Sequence, residues 1–169
     1  MKEEIFDVVN DRDEVIGQDS RRRVHDLGRR HRAVHLLIFN ARGDLFLQKR
    51  SARKDTFPGT WDSSAAGHVD QGESYDAAAA RELEEELGLV LPRPPARLFK
   101  IEASPMTGAE FVWVYRGQAE GPFALCPNEI ERGDWFAPAH IGRWIAAQPG
   151  DFADAFRLIW QIMSERELL

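Results

Sequence analysis

The chain has 169 residues, 43% of them apolar, and a formal net charge of −6, which together predict one domain around one core. The acidic balance argues against a general nucleic-acid binder, which needs a basic surface to neutralise backbone phosphates, and no apolar run approaches the roughly 20 residues that span a bilayer. MKEEIFDVVN has early acids and no apolar leader core, so a cytoplasmic protein is expected; the single cysteine, Cys126, excludes an internal disulfide and is expected as a buried thiol.

Two short strands are predicted at Ile5–Val9 and Glu14–Gly17, around the turn residues Asn10–Asp13. The basic stretch Arg21–Arg32, which holds His25 and His31, reads as a solvated surface turn. Strands His31–Asn40 and Asp44–Arg50 follow, joined by Ala41-Arg42-Gly43, a short glycine-containing loop that suits a hairpin. Ser51–Thr60 is polar and ends on the turn Pro58-Gly59-Thr60, after which Trp61–Val69 reads as one strand of small residues. Ser74–Leu87 is the strongly helical segment. Ser74 suits an N-cap, the Ala77–Ala80 run favours helix, and Gly88 stands where a glycine ends one. Beyond the proline-rich Leu91–Pro95, strands are predicted at Leu98–Ala103, Phe111–Gly117 and Glu131–Phe136. Helices are predicted at Pro138–Ala147 and Phe152–Leu168, the last with Phe156, Ile159, Trp160 and Met163 on one side. This order predicts an α/β fold, a sheet covered by helices on both faces. One domain fills 1–169, with its core at about 30–165 and N-terminal strands within 4–17. Trp61, Phe111 and Trp113 are expected to fill core rather than stack on a base.

Glu82, Glu85 and Glu86 fall at i, i+3 and i+4 of the helix and so share a face. Like charges at that spacing repel, and the helix C-terminus already favours cations, so the cluster is locally unfavourable. A hard divalent cation removes the conflict; magnesium prefers carboxylate oxygens, keeps several waters and bridges substrate phosphates. Glu73, just ahead of the helix, is placed to add a ligand or act as a base.

The segment GHVDQGESYDAAAARELEEELGL carries a recognisable pattern. Gly67, Glu73, Arg81, Glu82, Leu83, Glu85, Glu86, Gly88 and Leu89 match all nine constrained positions of the 23-residue Nudix box. The chain therefore resembles the Nudix superfamily, and the resemblance implies an α/β/α sandwich with a mixed central sheet. It also implies magnesium, with manganese able to substitute, held by Glu82, Glu85 and Glu86 with help from Glu73 and the Ala66 carbonyl. Arg81 would orient a box glutamate. Water activated at the metal would attack a diphosphate, its proton taken by a box glutamate such as Glu85 or by the later Glu110.

Outside the box, FDVVNDRDEVIG and HRAVHLLIFNARGDLFLQKRSARKDTFPGTWD resemble the branch that includes type I isopentenyl-diphosphate isomerase and its hydrolase relatives. The isomerase has a catalytic cysteine where this chain has Ala66, and alanine has no thiol to move a proton at carbon. Hydrolysis of a nucleoside diphosphate or related small diphosphate is therefore expected. Isomerase chemistry and a non-catalytic nucleotide sensor are the alternatives; the sensor is disfavoured because such domains usually lose box carboxylates. By the same resemblance His31, His68 and Glu110 fall where the isomerase binds metal, and Arg50 and Lys54 fall where phosphates are contacted. Otherwise the histidines would be hydrogen-bonded structural residues and the cations a solvated strand end and loop. The expected partner is the small diphosphate alone, with no nucleic acid or membrane, and the chain a monomer or homodimer.

Overall fold

The computed structural model describes residues 3–169. At its start β1 (Ile5–Val9) and β2 (Val15–Ser20) form a separate antiparallel ribbon. Asp13, at the ribbon's turn, accepts hydrogen bonds from Arg32, Tyr75 and Lys100 and so pins the ribbon to the rest of the chain. The basic stretch is more ordered than its charge suggests. Ser20 caps a short helix, α1 (Arg21–Asp26), which buries Val24 against Phe6 and Val8. Several of its arginines are spoken for: Arg23 and Arg29 pair with Asp19, and Arg21 with Asp55.

The centre of the molecule is β3 (His31–Phe39). Its residues are almost all buried because it has strand neighbours on both sides and helices over both faces. The expected hairpin between β3 and β4 (Leu45–Arg50) closes at its turn, with Phe39 opposite Leu45, and then opens. The cause is Ser64, whose hydroxyl accepts from the Ile38 amide (2.8 Å) and donates to the Phe46 carbonyl (2.5 Å), standing between the two strands. The same insertion divides the single strand expected at Trp61–Val69 into β5 (Trp61–Asp62) and β6 (Ala65–His68). β6 pairs antiparallel with β3, from Ala33 opposite His68 to Leu36 opposite Ala65.

Helix α2 (Tyr75–Leu87) begins where Ser74 accepts from the Ala77 amide and ends at Gly88, which takes the left-handed conformation (φ 62°). Strand β7 (Ala96–Ile101) runs antiparallel to β8 (Glu110–Gln118). β8 lies parallel to β3 along its whole length, starting with Glu110 opposite His31. β9 (Ile130–Phe136) completes the sheet on β4. Helices α3 (Pro138–Ala147) and α4 (Asp154–Glu165) close the chain, α4 being shorter than the expected Phe152–Leu168.

Alternate residues of β3 divide between two cores. Val34, Leu36 and Ile38 meet Ala78, Ala79, Leu83 and Leu87 of α2, while Ala33, Leu37 and Phe39 face Phe156, Ile159 and Met163 of α4. The result is an α/β/α sandwich around a mixed sheet. Trp61 and Phe111 are core residues as expected, Trp113 is half-buried under the Arg97 guanidinium, and Cys126 is half-buried rather than buried. Among the described residues no helix is long and apolar enough to cross a membrane. Because Leu83 is wholly enclosed between α2 and the sheet, Leu83→Ala should lower the unfolding free energy by about 3 kcal/mol, measurable by urea denaturation.

Candidate active site

Helical spacing turns Glu82 and Glu86 toward β6 and leaves Glu85 at the solvent edge. Glu82 and Glu86 are only 8% and 5% exposed, whereas the Glu85 side chain is 60% exposed. The approach to β6 requires Gly67, since a Cβ there would lie 2.1 Å from the Glu82 carboxyl carbon. One oxygen of Glu86 accepts from Gln48 Nε2 (2.8 Å) and from the Ala66 amide (3.2 Å).

Arg81 relieves much of the like-charge conflict. It donates to both oxygens of Glu73 (2.9 Å each), to Glu82 (2.7 Å) and to Glu85 (3.3 Å), and also to the His68 carbonyl (2.8 Å). Glu73 additionally accepts from the Asp70 amide. Glu86 lies beyond this guanidinium. Burial, set against the pull of Arg81, pushes the Glu82 carboxyl up to about 7. Burial, reinforced by the charge of Glu82, pushes Glu86 up to about 8 despite Gln48 and the Ala66 amide. The all-oxygen donor set of Glu82, Glu85 and Glu86 suits a hard divalent cation.

A second constellation stands beside the first. His25 of α1, His31 at the start of β3, His68 at the end of β6 and Glu110 at the start of β8 bring one ligand atom each to within 4.8 Å of one another. Strand register does most of this, setting Glu110 opposite His31 and His68 opposite Ala33. His68 Nε2 is 2.9 Å from Glu110 Oε1, and His31 Nε2 is 3.3 Å from the same oxygen. His31 Nδ1 lies 2.9 Å from the Arg29 carbonyl, to which it can only donate. His31 Nε2 thus faces into the cluster, where this atom is buried without a well-aligned hydrogen-bond partner. Burial works to raise the Glu110 carboxyl, but the imidazoles of His31 and His68 hold it well below the usual carboxylate range. Burial, with the neighbouring His68 and His31, pushes His25 down to about 4.

The expected grouping of sequence residues is thus redistributed. His31, His68 and Glu110 come together as anticipated, and the box glutamates gather around Arg81 and β6. His25, not distinguished within the basic stretch by sequence alone, joins the other histidines through α1, and its spacing of one short helix ahead of His31 is the signal that points to it. Arg50 does not face solvent: its guanidinium donates to the Thr56 carbonyl (3.1 and 2.9 Å) and pairs with Asp62 (3.2 Å), clipping the loop 51–60 to the sheet. Lys54 pairs with Glu129, and its charge is also felt by Glu86.

The family model for the NUDIX domain matches residues 29–156. The chain belongs to the Nudix family. A Nudix hydrolase of Deinococcus radiodurans is 33% identical over 171 residues, covering 99% of this chain and 98% of its own. A Nudix hydrolase of Streptomyces coelicolor is 37% identical over 170 residues, covering 94% and 91%. The crystal structure of a Deinococcus radiodurans protein matches with a TM-score of 0.76 at 34% identity, over 85% of this chain and 90% of that one. The Nudix domain of Shewanella oneidensis NrtR, solved with ADP ribose, shares the fold at a TM-score of 0.63 and 18% identity, over 79% and 86% of the two chains. The chain is accordingly an enzyme, a Nudix hydrolase.

The buried carboxylates make stability depend on pH. Glu82 and Glu86 bind protons more tightly folded than unfolded, so above their ordinary value of 4.5 the metal-free Nudix domain loses stability as pH rises toward about 8. His25 acts in the opposite sense, but only below its ordinary value of 6.5. The thermal midpoint of the metal-free protein should therefore fall between pH 6.5 and 8, and Glu86→Gln should flatten that fall. A midpoint that rises across this window would contradict the account.

Proposed function

We propose that this Nudix hydrolase is magnesium-dependent, with manganese able to substitute, and cleaves the diphosphate linkage of a small nucleotide-type substrate such as a nucleoside diphosphate. The observation that carries the reading is the pair of buried carboxylates, Glu82 and Glu86, set under Gly67 with Glu85 beside them at the solvent edge. Glu82, Glu85 and Glu86 are the residues that would hold the metal, with Glu73 and the Ala66 carbonyl as further donors. Bound there, magnesium would supply positive charge against the diphosphate and would acidify water.

The protein's own groups supply the rest. Arg81 fixes Glu73 bidentately and draws Glu82 and Glu85 into one cluster, so that its loss would scatter three carboxylates at once. Gln48 and the Ala66 amide orient Glu86. Glu85, being solvent-accessible, is placed to accept a proton from attacking water as the P–O bond to the leaving phosphate breaks. Glu110 is less suited to that task, because its two imidazole neighbours make it a poor proton acceptor. Lys54, which pairs with Glu129, is the remaining candidate for a phosphate contact, whereas Arg50 acts through the loop it holds. The flanking resemblance to the isomerase branch does not extend to its chemistry, since Ala66 has no thiol. The N-terminal ribbon and the remainder of the chain act as one domain.

Glu85→Gln should reduce turnover of a nucleoside diphosphate by about 100-fold or more with an unchanged thermal midpoint, and Glu86→Gln should reduce it by orders of magnitude. Chelation should abolish activity and magnesium restore it. Undiminished turnover in Glu86→Gln would remove the carboxylate assignment.

The histidine cluster supports a second metal centre. Three imidazoles and one carboxylate form a mixed nitrogen–oxygen set that suits manganese, zinc or iron better than magnesium, and the buried Nε2 of His31, without a hydrogen-bond partner, faces it. Equilibration with zinc or manganese followed by metal analysis should find a bound ion that His31→Ala no longer retains. Equal metal content in both proteins would leave the cluster as a hydrogen-bonded support for Glu110.

A further inference from the structure

Among the large hydrophobic side chains exposed in the described residues, Phe57 is the one aromatic, at 43% exposure. Its backbone lies in the left-handed region (φ 47°), which bulky side chains avoid. The exposed ring gains little burial in return for this strain, yet the loop around it is held on several sides. The Arg50 guanidinium donates to the Thr56 carbonyl and hydroxyl. The Thr60 amide and hydroxyl both donate to the Phe57 carbonyl, at 3.4 and 2.8 Å. Asp55 pairs with Arg21 at 3.0 Å, and Lys54 pairs with Glu129. A strained aromatic held out to solvent by a braced loop is arranged for a ligand rather than for the core.

The loop's anchors locate Phe57 relative to the site. Arg21, which pairs with Asp55, belongs to α1, one turn ahead of His25, and Arg50, which holds Thr56, also pairs with Asp62 beside His35. Phe57 is two residues from Asp55, no more than about 7 Å along the chain. The loop that carries the exposed ring is thus tied to the side of the molecule that holds the histidine cluster.

We propose that Phe57 is the platform on which the base of a nucleoside diphosphate stacks, making it a specificity residue for the hydrolysis proposed above, on which this inference rests. A lone aromatic face reads planarity rather than hydrogen-bonding pattern, so purine and pyrimidine nucleotides should both be accepted.

Calorimetric binding in the presence of magnesium tests this with two non-hydrolysable probes, adenosine 5′-(α,β-methylene)diphosphate and the base-free methylenediphosphonate. Phe57→Ala should weaken the nucleoside probe about 10-fold or more and leave the base-free probe unchanged. Phe57→Leu should behave like Phe57→Ala, and Phe57→Trp should restore binding. An unchanged thermal midpoint checks that the variants fold. Equal affinity of wild type and Phe57→Ala for the nucleoside probe overturns the proposal, as does equal loss of both probes or a wild type that binds neither. The two readings fail separately. Phe57-dependent binding without hydrolysis of ADP would leave the platform standing and remove the activity, whereas hydrolysis with Phe57-independent binding would do the reverse.

Discussion

Glu82 and Glu86 are pressed against the backbone of β6, and the architecture of the site follows from that contact. It needs a glycine at position 67, because any side chain would occupy the space of the Glu82 carboxyl. It needs α2 to lie flat on the sheet, which the buried Ala78, Ala79, Leu83 and Leu87 provide. It also places two carboxylates where water solvates them poorly, so they seek a positive charge. Arg81 answers for Glu82, Glu85 and Glu73 together and leaves Glu86 to neutral donors. The fold thus creates an electrostatic demand that a hard divalent ion is suited to meet.

Much of this was legible in the residue order. The box spacing put the glutamates on one helical face, and Ser74 and Gly88 marked the ends of α2. Less legible were features set by pairing across long stretches of chain. Ser64 looks like any small strand residue, and only the sheet shows its hydroxyl standing between β3 and β4. His25 lay in a run of arginines whose helix depends on burying Val24 against the ribbon, a contact local propensity does not contain. Arg50 read as a free cation because its true partners, the Thr56 carbonyl and Asp62, are set by how the intervening loop folds.

The two constellations meet at one residue. The His68 carbonyl accepts from Arg81, which organises the carboxylates, while its ring faces Glu110 among the histidines. The turn between β6 and α2 therefore carries both sets, and a shift in its backbone is transmitted to each. Phe6 stacks on the rings of His31 and His68 at 5.7 and 4.7 Å, so the N-terminal ribbon forms one wall of the histidine cluster rather than an appendage.

The Ser64 hydroxyl has a mechanical corollary. Away from the turn that joins them β3 and β4 share few direct backbone bonds, so the sheet consists of two leaves, β3 with β6, β8 and β7, and β4 with β5 and β9. The seam between them is bridged by Ser64 and, deeper in, by Glu86, whose one oxygen takes a hydrogen bond from Gln48 on one leaf and from Ala66 on the other. Shear along that seam would reach Glu86 before most other side chains, making the same carboxylate a rivet of the sheet and a gauge of its alignment.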